Sequence, residues 1–174
     1  MSSNLDKYRV DLTDLITLGE RMLADLSLEF ESAKKQLTKD ELAHVKNDRG
    51  IFFREYQRWY TEAGAVIKQL IPDRLSEFED LYKGNGKRKT IDGTSYTIQD
   101  WMNGVRSGNS RSGTKHFDDN AAAIMRFQNQ LSILRASQRR FESSLLDIRQ
   151  LISADLLDSE LGSARELLKH GFLR

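Results

Sequence analysis

The sequence contains no cysteine among its 174 residues, which excludes disulfides, thiolate catalysis and zinc sites built from cysteine. It contains a single proline, Pro72, as is typical of helix-rich chains. No apolar run approaches the roughly 20 residues that a membrane-spanning helix requires, and the first residues lack the hydrophobic stretch of a signal peptide. We therefore expect a cytoplasmic protein that does not enter a membrane.

Histidine is also scarce. The three histidines are His44, His116 and His170, and none stands at a spacing that builds a metal site with another histidine or a pair of carboxylates. We therefore expect neither a metal nor another cofactor.

The charges balance overall but are segregated along the chain. The net charge of +1 argues against a general nucleic-acid binder. Between Lys83 and His116, however, seven lysines and arginines stand against two aspartates, so this window carries +5 and the remainder about −4. Such a region has the electrostatic character that attracts phosphates.

The strongest periodicity runs from Asn120 to about Leu156. Apolar residues recur there at alternating steps of three and four, and Gln138 is a polar interruption of this seam. The heptad pattern predicts one helix over 120–156, about 55 Å long at about 1.5 Å per residue. Gln138 either fixes the register through a buried hydrogen bond or lies at the edge of the stripe and reaches water. The apolar seam residues are Ile124, Phe127, Leu131, Leu134, Phe141, Leu145, Ile148 and Ile152.

Similar seams predict two more long helices, over 4–34 and 39–71. The second begins at a capping box of Thr38 and Glu41 and ends close to Pro72. Shorter helices are predicted over 73–82, 98–104 and 159–170.

Two features of these helices could reflect either packing or function. Gly19 occupies a seam position of the first helix, where close approach of a partner helix competes with a functional kink. An aromatic cluster in the second helix favours core packing, with a base-stacking surface as the alternative. Its members are Phe52, Phe53, Tyr56, Trp59 and Tyr60.

The fold class that follows is all-α. Three long heptad helices predict an elongated antiparallel bundle, or a coiled-coil-like hairpin, as a single domain over 1–174 with a basic, loop-rich insertion over 83–118. Because helices of unequal length leave apolar seam surface uncovered, we expect a homo-oligomer or a helical protein partner.

The basic insertion could fold around phosphates with its cations and backbone amides. Neither of its glycine-containing loops ends in the lysine-serine or lysine-threonine pair of a P-loop. Nucleic acid is thus a possible partner, and an ordinary solvated loop or a protein contact is the alternative. The candidate phosphate-binding residues are Lys87, Arg88, Lys89, Arg106, Arg111 and Lys115.

Arg165 and His170 form a short pattern, with the arginine five positions before the histidine. Such pairs serve metal-independent RNA cleavage in the HEPN superfamily, where histidine moves a proton at the 2′-hydroxyl and arginine stabilises the phosphorane charge. The alternative is a pair of solvated cations in the last turn of a helix.

Three stretches resemble an uncharacterised bacterial HEPN-like family, often found beside mobile or defence-associated genes. They are 52–82 (FFREYQRWYTEAGAVIKQLIPDRLSEFEDLY), 96–105 (YTIQDWMNGV) and 139–174 (RRFESSLLDIRQLISADLLDSELGSARELLKHGFLR). The resemblance implies that the family's arginine-histidine motif lies in a later carboxyl-terminal HEPN segment, so Arg165 and His170 fall too early to match it. We expect a chain that is either naturally short or a fragment.

Together these patterns favour a non-enzymatic helical interaction module, a scaffold or sensor of a bacterial defence-type protein that self-associates through its seams. Nucleic-acid binding through the loops of 83–116 is the second hypothesis. Ribonuclease activity of Arg165 and His170 is the third.

Overall fold

The computed structural model describes residues 4–28, 50–108 and 115–169. Within these ranges the regular elements are helices, so the protein is all-α. None of the described helices is both long enough and apolar enough to cross a membrane. The helices are α1 (Asn4–Leu28), α2 (Ile51–Leu70), α3 (Leu75–Lys83), α4 (Ile98–Met102) and α5 (Asp119–Lys169), with a 3-10 turn (Pro72–Arg74) before α3.

The chain divides into two compact units, Met1–Gln138 and Arg139–Arg174. The first unit holds α1 to α4 and the beginning of α5, and the second holds the rest of α5. The division falls directly after Gln138, the polar interruption of the seam.

The core of the first unit is aromatic. Tyr56, Trp59, Phe78 and Phe127 have no exposed surface, and the rings of Trp59 and Phe127 meet edge to face with centroids 5.0 Å apart. Packing of this kind supplements the burial of apolar area. The core interpretation of the aromatic cluster is therefore confirmed for its buried members, whereas Phe53 is half exposed.

Gly19 marks the closest approach of α1 to this core. A Cβ atom at this position would lie 2.8 Å from Leu131 Cδ1 and 3.0 Å from Trp59 Nε1. Glycine is thus required by space, as the close-approach interpretation predicted. Beside it, Trp59 Nε1 donates a hydrogen bond to the carbonyl of Leu15 at 2.9 Å.

A buried glutamine joins three helices of the first unit. Gln130 of α5 accepts a hydrogen bond from the hydroxyl of Tyr56 at 2.9 Å and donates to the carbonyl of Phe78 at 3.0 Å. Because these groups satisfy one another, a polar side chain is tolerated in a core of aromatic rings.

The start of α2 corrects the helix predicted over 39–71. Gly50 has a left-handed backbone, with φ of 75°, and therefore cannot belong to an α-helix. The helix begins at Ile51, and Asp25 of α1 caps it by accepting hydrogen bonds from the amides of Gly50 at 2.9 Å and Phe52 at 3.1 Å. The predicted capping box at Thr38 and Glu41 lies outside the described residues.

The last helix also differs from expectation. Separate helices were predicted over 120–156 and 159–170, but α5 begins at Asp119 and continues through Lys169. The loss of heptad phase after Leu156 changes which face is apolar without ending the helix. Gln138 is partly buried, and its exposed hydrogen bond to Thr13 Oγ1 at 3.4 Å places it at the edge of the stripe.

The shorter helices agree more closely with their predictions. The helix expected over 73–82 is present as the 3-10 turn and α3. The helix expected over 98–104 ends earlier, at Met102, and its start has the capping box of Thr97 and Asp100. The helix expected over 4–34 is described only to Leu28.

Candidate anion-binding site

The basic insertion begins where α3 ends, at a glycine. Gly84 has φ of 73°, and its amide donates to the carbonyl of Asp80 at 2.9 Å, which closes the last turn of α3. A Cβ atom on Gly84 would lie 3.3 Å from Thr97 Cγ2. The start of the insertion therefore lies against the residue that caps α4.

A tight turn at Asp92 folds the middle of the insertion. Asp92 Oδ1 accepts hydrogen bonds from the hydroxyl of Thr94 at 2.7 Å and from the amides of Ser95 and Thr94 at 2.9 Å. These hydrogen bonds lower the pKa of Asp92 to about 2. The turn directs the carbonyls of Thr94 and Ser95 toward two arginines.

The first of these arginines is Arg88, which is bound to the capping residue of α4. Arg88 Nη2 donates to Asp100 Oδ1 at 2.7 Å, Nη1 donates to Oδ2, and Nη1 also donates to the carbonyl of Ser95 at 3.0 Å. Burial alone would raise the pKa of Asp100, but the hydrogen bonds from Arg88 and Thr97 outweigh it and hold that pKa below its ordinary value. Arg88 is thus fixed in position by a charge-assisted, two-pronged contact.

The second arginine is Arg126 of α5, which donates from Nη2 to the carbonyl of Thr94. Its Nε is buried and has no hydrogen-bond partner in the part of the chain that the structure describes. Burial lowers the pKa of Arg126, although an arginine side chain stays charged at neutral pH. Among the described residues, Arg126 is thus a partly buried cation that makes no ion pair.

The two arginines adjoin a cavity of about 350 Å³, within the size range of small-molecule sites. The cavity lies inside the first unit and is lined by α3, the insertion, the cap of α4 and α5. Its lining residues are Asp80, Gly84, Asn85, Lys87, Arg88, Thr94, Ser95, Thr97 and Arg126.

The lining carries more positive than negative charge. Three lining residues are cationic, Lys87, Arg88 and Arg126, and one is acidic, Asp80. The ammonium of Lys87 has no ion-pair partner among residues 4–28, 50–108 and 115–169, whereas Arg88 is paired with Asp100. The cavity can therefore supply cations to an anionic ligand without first breaking an internal ion pair of Lys87 or Arg126.

The structure separates the residues that the sequence proposed as one basic site. Lys87 and Arg88 line the cavity, and Lys89 is exposed outside this lining. Arg106 and Lys115 instead neighbour the buried carboxylate of Asp119, with nitrogen-oxygen distances of 4.0 Å and 3.4 Å. Arg111 lies outside the described residues.

Arg126 is the residue that sequence reasoning missed. It lies between the seam residues Ile124 and Phe127, where a lone charge on a long helix resembles many solvated arginines. Only the contact between α5 and the turn at Thr94 reveals its role.

The structure describes only one of the two residues proposed for RNA cleavage. Arg165 is exposed on α5 in the second unit, and His170 lies outside the described residues. The ribonuclease hypothesis therefore stays a prediction.

No protein-family model, curated protein or solved structure matches this chain.

Proposed function

We propose that this protein binds a phosphate-bearing ligand in the cationic cavity between α3, the basic insertion and α5. The observation that carries the proposal is Arg126, which lines the cavity and makes no ion pair in the described part of the chain. A partly buried charge without a counterion is unfavourable, so an anion in the cavity would stabilise Arg126.

Phosphate is the anion that best fits the donors. Arg88 and Arg126 donate to the carbonyls of two successive residues, Ser95 and Thr94, which keeps the two guanidinium groups close together. Guanidinium groups match the oxygen geometry of phosphate, and a lysine such as Lys87 adds a point charge. A phosphate dianion can engage more than one of these cations at once.

The proposed ligand chemistry has two possible sources, a small phosphorylated molecule and a terminal phosphate of a nucleic-acid strand. The sequence hypothesis of nucleic-acid binding through 83–116 concerns the same chemistry. The cations line one cavity rather than a long surface stripe, which favours a phosphate at the end of a molecule over the middle of a duplex.

Isothermal titration calorimetry tests the proposal with inorganic phosphate, adenosine 5′-monophosphate and a 5′-phosphorylated oligonucleotide. Arg126→Gln should weaken binding of every phosphate ligand by about tenfold or more, because it removes a charged hydrogen bond. Arg58→Gln is the matched control, since Arg58 is an exposed arginine of α2 paired with Glu55. Absence of phosphate binding by the wild-type protein would remove the proposal.

A second candidate function, self-association, is favoured by the second unit. Five large apolar side chains on its part of α5 are more than half exposed, namely Leu146, Ile152, Leu156, Leu157 and Leu161. An isolated helix is marginally stable in water, so a partner that covers this surface would stabilise it. We infer that the protein self-associates as a scaffold or sensor module, which is the role that the resemblance to the HEPN-like family implies.

Sedimentation velocity tests self-association directly. Leu157→Lys should shift the protein toward monomer, whereas Glu160→Lys, an exposed polar position of the same helix, should leave the oligomeric state unchanged. A wild-type protein that is strictly monomeric at high concentration would exclude the second candidate.

A further inference from the structure

The cavity contains a carboxylate that phosphate binding does not explain. Asp80 lies near the end of α3 and lines the cavity beside the three cations. Its carboxylate makes no hydrogen bond or ion pair within the described ranges, although cations line the same cavity. A site shaped for phosphate alone would gain from the removal of this negative charge, because like charges repel.

Because Asp80 makes no such contact with the described residues, its carboxylate is an acceptor for donors on a ligand. Asp80 belongs to α3, whereas the two arginines are joined to the turn at Thr94 and Ser95, so the acceptor and the arginines come from different walls of the cavity. The cavity volume of about 350 Å³ leaves room for an organic group between these walls.

We infer that the ligand is a phosphate monoester of a polyhydroxylated molecule, such as a sugar phosphate or a ribonucleotide. Its phosphate contacts Arg126 and Lys87 beside the fixed guanidinium of Arg88, and a hydroxyl group donates to the carboxylate of Asp80. This inference rests on the proposed phosphate binding and adds the class of ligand. It makes Asp80 a specificity-determining residue, because a carboxylate accepts from hydroxyl groups and repels a second phosphate.

Calorimetry with two probes tests this ligand class. Ribose 5-phosphate and methyl phosphate carry the same phosphate monoester, but only the first carries ring hydroxyl groups. Wild-type protein should bind ribose 5-phosphate about tenfold more tightly, the effect expected of one hydrogen bond to a charged acceptor. Asp80→Asn should reduce this preference to less than about threefold while binding of methyl phosphate is retained or improved.

The outcomes separate the ligand class from the proposed function. Equal affinity of the wild-type protein for both probes, or an undiminished preference in Asp80→Asn, would overturn the role of Asp80 while phosphate binding stands. If neither probe nor a 5′-phosphorylated oligonucleotide binds, both proposals fail, and if only the oligonucleotide binds, the small-ligand class is wrong while phosphate binding stands. Asp80→Asn is nearly isosteric, and Asp80→Ser provides a second variant that should lose the same preference.

Discussion

The guanidinium of Arg88 and the carboxylate of Asp100 form a two-pronged ion pair, in which Nη2 donates to Oδ1 at 2.7 Å and Nη1 donates to Oδ2. Asp100 also accepts from the amide of Thr97 at 2.9 Å as part of a capping box. One carboxylate therefore holds both the start of α4 and the basic insertion. The cationic cavity depends on this pair for its shape.

The pair predicts how stability depends on pH. The pKa of Asp100 is lower in the folded protein than its ordinary value of 3.8, because the hydrogen bonds from Arg88 and Thr97 outweigh the effect of burial. Asp100 therefore stabilises the fold above about pH 4, and this contribution is lost as the pH falls through the folded pKa. We expect Asp100→Asn to lower the unfolding free energy by about 2 kcal/mol at pH 7, with the difference shrinking toward pH 2.

Urea denaturation at several pH values measures this difference. Asp14→Asn, at an exposed position of α1, serves as the control and should change the unfolding free energy by less than about 0.5 kcal/mol. A difference between Asp100→Asn and wild type that stays constant from pH 7 to pH 2 would contradict the assigned role.

The close contact at Gly19 gives a second prediction with an internal control. Gly19→Ala should destabilise the protein by about 1–3 kcal/mol, because its Cβ would meet Leu131 Cδ1 at 2.8 Å. Gly64→Ala, within α2, meets Phe78 Cε1 at 3.8 Å and should be neutral or stabilising by up to about 1 kcal/mol, because alanine favours helix. Thermal unfolding of both variants checks the contrast, and equal melting temperatures would argue against the tight α1 contact.

The cap that α1 supplies to α2 gives a third prediction. Asp25→Ala removes the acceptor for the amides of Gly50 and Phe52, so we expect a loss of about 1–2 kcal/mol in unfolding free energy. Asp25→Asn retains an oxygen acceptor and should recover part of this loss. Hydrogen exchange should locate the change, with faster exchange of the Phe52 amide; unchanged protection there would show that the cap does not stabilise α2.

A fourth prediction concerns the buried glutamine. Tyr56→Phe removes the hydroxyl that donates to Gln130 Oε1 and leaves that oxygen buried without this partner, which should lower the unfolding free energy by about 1–2 kcal/mol. A double-mutant cycle with Gln130→Leu measures the coupling between the two side chains. Additive effects of the two substitutions would contradict the hydrogen bond as a stabilising contact.

The elements that depend on local pattern could be predicted from the sequence. The capping box of Thr97 and Asp100 is a local signal, and the structure contains it. The seam of α1 likewise follows from helical periodicity from Leu12 to Leu26, including the small residue at Gly19, whereas Leu5 and Tyr8 near its start are about half exposed. These features are set by residues only a few positions apart.

Backbone torsions and contacts between residues that are distant in the sequence could not be predicted. The left-handed backbone of Gly50 cannot be seen in the sequence. The helix predicted over 39–71 was therefore continued through this residue. Arg88 and Asp100 are twelve residues apart, and Arg126 meets the turn at Thr94 across thirty-two residues. No short spacing in the sequence encodes such contacts, which is why Arg126 was missed.

Phosphate binding by Arg126 is tested most directly by the nuclear magnetic resonance signal of its side-chain Nε–H, assigned by comparison with Arg126→Gln. We expect adenosine 5′-monophosphate to shift this signal in a saturable manner, because the phosphate binds beside the guanidinium to which Nε belongs, while the Nε–H signal of Arg58 stays in place. An unchanged Arg126 signal at ligand concentrations that saturate the protein elsewhere would contradict the account.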